Sequence, residues 1–337
     1  MTASYLRDPG SIRLLVEFGL GNGIPEQLLL SRSGLKREQL DDPLVEVESA
    51  QELRVIENLL TLTRPDPLLG MRLGWDYSIT TYGAWGFALL CSKTAQEALE
   101  LALRFLPLTY AFCPITARPL QGHMAILFGE PVAPAPTKSF IIQRDMAAAS
   151  KLLRSLLGEK SREARFLCTQ AKPKTNEINL PADWGIEIEF GSSLNALIFD
   201  HTHLTTPLPL SNPLTSAACE QLCNALIQKR RTKQGTASIA KMYLRAHSGH
   251  GMLDLPRLAG KLHMSERALR RHLQEEGTSF SEILTEIRVE LAAGMLSTGT
   301  YSMAHIADAL GYSDQSSFSQ AYKRWHGIPP SASRKNR

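Results

Sequence analysis

Arg267, Arg270 and Arg271 crowd one short stretch, SERALRRHLQ, with Glu266 and Gln274 beside them and Leu269 and Leu273 between. Read as a helix, the stretch turns its leucines inward and leaves the arginines on its outer faces, Arg267 three or four residues from Arg270 and Arg271. A guanidinium so placed can grip O6 and N7 of guanine through two hydrogen bonds, each good pair contributing about 1 to 3 kcal/mol of discrimination. Nearly fifty residues on, Asp314, Gln315, Ser316, Ser319, Gln320, Lys323 and Arg324 surround Phe318, Tyr322 and Trp325. With the aromatic residues facing a core, this second stretch offers amides and hydroxyls to bases early and cations to phosphate late. A lone run of arginines is more often a solvated helix face. Repetition decides between the two readings.

The elements that must hold these side chains occur twice. Leu258-Ala259, Leu262, Met264 and Ser265 return 48 positions later as Ile306-Ala307, Leu310, Tyr312 and Ser313. The offset grows to 49 at Leu269/Phe318 and Leu273/Tyr322, and to 50 at Gly277/Gly327. Each copy has an apolar i, i+4 pair, a short turn, a serine in N-cap position, apolar residues at helical spacing and a glycine stop. That pattern predicts two helix-turn-helix units, in which the first helix braces a second that lies in the major groove of DNA. Ser265 and Ser313 are expected to open the two recognition helices.

Residues 236–337 resemble the C-terminal domain of AraC/XylS-type bacterial transcription regulators. The resemblance rests on Ile306-Ala307, Gly311-Tyr312-Ser313, Ser317-Phe318-Ser319, Tyr322-Lys323-Arg324-Trp325, Gly327, Pro330 and Arg334, with Arg288, Ala292 and Leu296 matching the helix that joins the two units. Ser333 departs from the pattern, which usually has an aromatic residue there. What the resemblance implies is an all-α domain with two helix-turn-helices on a linker helix, reading successive major grooves of double-stranded promoter DNA about 34 Å apart. It implies contact with RNA polymerase and transcriptional activation as well. The residues expected at the DNA are Ser265, Glu266, Arg267, Arg270, Arg271, Gln315, Ser316, Ser319, Gln320, Lys323 and Arg324.

Charge divides along the same line. From Arg230 onward there are 16 Lys or Arg against 9 Asp or Glu, a net of +7, so the preceding part carries −3 of the chain total of +4. Basicity confined to the helix-turn-helix part points to nucleic acid there. With 337 residues, 43% of them hydrophobic, the chain suits two domains with cores of their own. The stretch KRRTKQGTAS reads as an exposed join, giving a first domain over 1–229, a linker over 230–238 and a second domain over 239–337. No signal peptide and no run of 18 apolar residues is found, so the expected location is the cytoplasm, at the nucleoid, without membrane. Cys91, Cys113, Cys168, Cys219 and Cys223 are odd in number and scattered, as suits small buried residues better than bridges or a metal site.

Ahead of the join the pattern is α+β. SIRLLVEFGL, PEQLLL, AQELRVIENLLTLT and AQEALELALRFLPL have helical spacing, with Ser49 a candidate cap over Glu52, and MAAASKLLRSLLGEK reads as a helix ending at Gly158. HMAILFGEP, ARFLCTQA, IEIEFG and NALIFDHTHL read as strands. YGAWGFALL, EALELALRF, NALIFD and LTTPLPLSNP resemble the effector-sensing domain of the arabinose-binding-like branch of the same family, which includes ornithine-type regulators. An unknown small-molecule effector and a homodimer are implied. Trp75, Tyr77, Tyr82, Trp85, Tyr110 and Phe112 form an aromatic concentration suited to a core or a cavity wall.

Catalysis has no foothold. Walker, dinucleotide, HExxH and GxSxG patterns are lacking, and so is the proline-cysteine-histidine-arginine signature of DNA-repair methyl acceptors. Gly19, Gly21 and Gly23 follow a helix, and His201 and His203 read as a structural pair alternating on a strand. No catalytic residue, cofactor or metal is expected. The competing reading is an architectural DNA binder whose first domain only oligomerises.

Overall fold

The computed structural model describes residues 6–42, 44–120, 122–174, 178, 180–246, 252–298 and 301–335. The chain forms two compact units, residues 2–229 and 230–337.

In the first unit a two-stranded antiparallel pair, β1 (Leu6–Arg7) and β2 (Val47–Glu48), is set among α1 (Gly10–Gly21), α2 (Glu26–Leu29), α3 (Arg37–Leu40) and α4 (Ser49–Leu62). Then come α5 (Leu69–Gly74), α6 (Gly83–Leu90) and α7 (Ala95–Arg104), the hairpin β3 (Ile115–Leu120) and β4 (His123–Phe128), and the long α8 (Ala135–Leu157). The strands β5 (Arg165–Cys168), β6 (Glu187–Phe190) and β7 (Ala196–Asp200) complete a sheet of order β3-β4-β7-β5-β6, antiparallel except for the β5/β6 pair. Period-2 alternation sorts its faces: Met124, Leu197 and Phe199 join the main core, while Ala125, Leu127, Ala196 and Ile198 bury a smaller cluster on the other side.

Helix α8 is the spine of this unit. Gly70 and Gly74, one turn apart on α5, lie so close to it that a Cβ on either would run into the backbone carbonyl of Phe140 or Arg144. Small residues at i, i+4 therefore let two helix backbones meet. α8 starts at Ala135, well before the stretch read as helical, and ends as expected at Gly158, whose φ is +57°.

Three local expectations need correction. The helix α4 begins with Ser49, and the cap position belongs to Glu48, whose N–H donates to the Gln51 side chain at 2.9 Å. β7 stops at Asp200, and His201–Thr205 is a 3-10 turn, because the Asp200 carboxylate accepts from the Thr202 N–H at 2.7 Å and bends the chain. His203 there meets Glu163 at 2.9 Å rather than sharing a strand face with His201. The third difference is β3, outside the expected strands; it contains Pro119, and as an edge strand it tolerates a residue that donates no ladder hydrogen bond.

Helix α9 (Pro213–Gln234) runs through most of the stretch expected as linker, and α10 (Thr236–Ala246) begins one residue later, with Gly235 between them at φ +81°. The Glu276 carboxylate accepts from the N–H groups of Thr236 and Ala237 to cap α10. The second unit continues with α11 (Leu255–Lys261), α12 (Glu266–Glu275), α13 (Phe280–Thr298), α14 (Met303–Ala309), α15 (Gln315–His326) and α16 (Pro330–Lys335). Arg245 fastens α10 to α13 through Glu290, at 3.1 Å from Nε to Oε2.

Candidate DNA interface and ligand cavity

The paired helices α11–α12 and α14–α15 are built alike down to their hydrogen bonds. Asp254 caps α11 by accepting from Arg257 N–H at 2.9 Å, and 48 residues later Ser302 caps α14 by accepting from His305 N–H at 3.1 Å. Met264 N–H donates to Ala259 O and Tyr312 N–H to Ala307 O, both at 2.9 Å, closing the two turns identically. At the next cap the offset has become 49. Ser265 caps α12 through Ala268 N–H at 3.2 Å, whereas α15 is capped by Asp314, which accepts from Ser317 N–H at 2.8 Å. Ser313 is thus not the cap expected of it: the extra residue enters the turn ahead of the helix, and Ser313 donates to Asp314 at 2.9 Å. The Ser317 N–H, followed by the Ser313 and Ser317 hydroxyls, holds the Asp314 carboxyl below the usual carboxylate range.

On α12, Leu269 and Leu273 are fully buried while Ser265, Glu266, Arg267, Arg270 and Arg271 are exposed. Arg271 lies 3.5 Å from Glu275, an exposed pair of little energetic weight. On α15, Phe318 and Tyr322 are buried and Gln315, Ser316, Gln320, Lys323 and Arg324 are exposed. Ser319 is half-buried and spends its hydroxyl on the Gln315 carbonyl at 2.8 Å. Trp325, expected in the core, is only half-buried, its ring 6.3 Å from Tyr322 and 6.4 Å from Tyr312. At Ser333 the Tyr322 hydroxyl donates at 3.0 Å, so a hydrogen bond stands where the family usually packs an aromatic ring.

Arg288 on α13 locks the second turn. Its guanidinium donates to Leu310 O at 2.9 Å and Gly311 O at 3.3 Å, and stacks 4.5 Å over the Tyr312 ring. The turn before α15 is thereby tied to the helix that joins the units.

In the first unit a cavity of about 110 Å³ lies between α6, α7, α8 and the sheet. Tyr77, Tyr82, Trp85 and Tyr110 border it, whereas Trp75 and Phe112 do not. Trp75 instead packs against Trp184, ring centroids 4.8 Å apart and tilted by 44°, and Phe112 lies under the guanidinium groups of Arg7 and Arg144, at 4.5 and 5.4 Å. The walls are mostly Leu, Ala and Ile, with Arg144 and Asp145 at the rim of a buried ion cluster. Glu52, with no exposure, receives Arg7 and Arg144 at 2.8 Å each and the Ser11 hydroxyl at 2.6 Å. Burial pushes the Tyr77 hydroxyl up to about 12; it shares its hydrogen with Ser11 at 2.6 Å. Sequence reading missed this cluster, although an Arg-Asp pair inside the apolar run FIIQRDMAAAS was a signal for it.

A family model described as the arabinose-binding domain of AraC transcription regulator, N-terminal, matches residues 23–208. A helix-turn-helix domain matches residues 258–336. The chain belongs to the AraC family of transcription regulators.

Among AraC-type relatives, an uncharacterised HTH-type regulator of Mycobacterium tuberculosis is 28% identical over 331 residues, 95% of this chain and 93% of the relative. The ornithine utilization regulator of Pseudomonas aeruginosa is 28% identical over 312 residues, 92% and 90% of the two chains. The crystal structure of the regulator CdpR from Pseudomonas aeruginosa aligns over 97% of this chain and 98% of its own, at 22% identity and a TM-score of 0.49. Both matched domains are those of DNA-binding regulators. Among the described residues no helix is long and apolar enough to cross a membrane.

Proposed function

We propose that this AraC-family regulator reads promoter DNA in the cytoplasm through α12 and α15 together, with Arg267, Arg270 and Arg271 addressing bases from the first helix and Gln315, Ser316, Ser319 and Gln320 from the second. Lys323 and Arg324, late on α15, address phosphate. The observation that carries this is the twofold occurrence of one hydrogen-bonded turn, each followed by a capped helix whose outer face is polar. A small-molecule effector in the first domain controls occupancy, and contact with RNA polymerase turns occupancy into activation. Leu214, Leu222 and Leu226 support a homodimer: they fall within about a third of the circumference of α9 and are 85, 56 and 42% exposed.

Nuclease footprinting of the full-length protein on DNA flanking its gene, with random DNA as competitor, tests the reading. Two protected blocks about 10 bp apart that survive the competitor are expected. Diffuse protection that the competitor removes favours the architectural alternative.

A further inference from the structure

From the cavity of the first domain we infer the chemical class of the effector: a small, uncharged, largely apolar molecule with one hydrogen-bond acceptor, which meets the indole N–H of Trp85. The inference rests on the reading of this domain as the sensing one.

Size comes first. The cavity, about 110 Å³, is of the order of the dry apolar cavities of about 150 Å³ that hold a benzene ring. A monocyclic compound or a short branched chain fits it.

Charge is the stronger constraint. Arg144 is the cation bordering the cavity among the described residues, and it is already committed: to Glu52 at 2.8 Å, to Tyr110 O at 2.8 Å and to Asp145 at 2.9 Å. Asp145 is equally occupied, taking Arg144 on Oδ1 and the N–H groups of Phe112 and Cys113 on Oδ2. With Arg7 and Glu52 the cluster holds two cations against two anions and is neutral. A carboxylate entering the cavity finds no free cation, and an ammonium finds no free carboxylate. Burial of either without a counter-charge is strongly unfavourable.

One buried polar atom at the cavity wall lacks a partner among the described residues. Trp85 borders the cavity, is 3% exposed, and its indole N–H has no acceptor among the described residues. Buried indole N–H groups nearly always find a partner. A carbonyl, ether or hydroxyl oxygen on the ligand supplies it.

Four probes of matched size test this on the full-length protein by isothermal titration: ethylbenzene, acetophenone, benzoate and phenethylamine. Acetophenone is expected to bind about tenfold tighter than ethylbenzene, the worth of one buried neutral hydrogen bond, and both charged probes at least a hundredfold more weakly than acetophenone. In Trp85→Phe the advantage of acetophenone over ethylbenzene disappears, and retained ethylbenzene binding shows that the variant is folded. Should Trp85→Phe not fold, the indole proton resonance of Trp85 in the unsubstituted protein must move downfield with acetophenone and stay put with ethylbenzene. Tight binding of benzoate, phenethylamine, arabinose or ornithine, an acetophenone advantage that persists without Trp85, or no binding of either neutral probe overturns the inference. None of these outcomes touches the footprint, so ligand chemistry and DNA reading stand or fall separately.

Discussion

His263 and Gly311 stand 48 residues apart and hold the same corner of the two helix-turn-helices, with left-handed φ of +50° and +71°. A side chain is tolerated at the first corner, whereas a Cβ at the second would come within 3.1 Å of Met252 N and 3.5 Å of the Arg288 guanidinium. Gly311→Ala is therefore expected to destabilise the second domain by about 1 to 3 kcal/mol from backbone strain and crowding. His263→Gly relieves strain and should shift the melting temperature little or slightly upward. Calorimetry of both variants checks the asymmetry; equal losses would refute it.

Base reading and phosphate binding separate by mutation. Arg267→Ala with Arg270→Ala should weaken binding to the specific site by about 1 to 3 kcal/mol for each lost base contact and relax sequence preference. Lys323→Ala should weaken binding to all DNA alike and lower the slope of log K against log salt by about one unit. Equal losses on specific and random DNA for both variants would sink this division of labour.

Arg288 touches the turn and not the outer face of α15. Arg288→Ala removes two hydrogen bonds to Leu310 and Gly311 carbonyls, and the second footprint block should fade while the first persists. Arg288→Lys cannot serve both carbonyls and the Tyr312 ring together, so it should restore the block only in part. Loss of both blocks at once would refute the local role.

Alkaline pH should unfold the first domain earlier than its solvent-exposed groups demand. The Tyr77 hydroxyl is raised by burial from 10.0 to about 12, and burial raises Tyr110 as well. Folding keeps the proton on, so this contribution is complete below about pH 10 and lost as pH rises through about 12. The loss is on the order of 3 kcal/mol for Tyr77. Melting temperature followed from pH 9 to 12, alongside tyrosinate absorbance, should show the buried tyrosines ionising only with unfolding, and Tyr77→Phe should flatten the decline.

Legibility in the sequence followed the range of the forces involved. Helix-turn-helix structure depends on contacts three to fifteen residues apart, so Leu258, Leu262, Leu269 and Leu273 announced their burial by spacing alone. The Asp314 cap was misassigned to Ser313 because a one-residue insertion in a turn leaves the apolar frame on either side unchanged. The sheet was partly legible: β4, β5, β6 and β7 show in apolar patterning, but order and pairing are set by contacts across the chain. The cavity was least so. Four of six aromatic candidates border it, and nothing local distinguishes Trp85 from Trp75, whose N–H has Asp183 at 2.9 Å.

Glu52 imposes a schedule on synthesis. One of its oxygens takes Arg7, 45 residues earlier, and the other takes Ser11 and Arg144, the latter 92 residues later. A nascent chain that has released α4 but not α8 holds Glu52 against Arg7 and Ser11 alone, without the second cation, Arg144, that the finished domain places there. The ion cluster around Glu52 is therefore complete only once α8 has left the ribosome. Closure of the first domain as one unit, rather than from its leading end, is the expected behaviour of a cluster that joins its first strand to its longest helix.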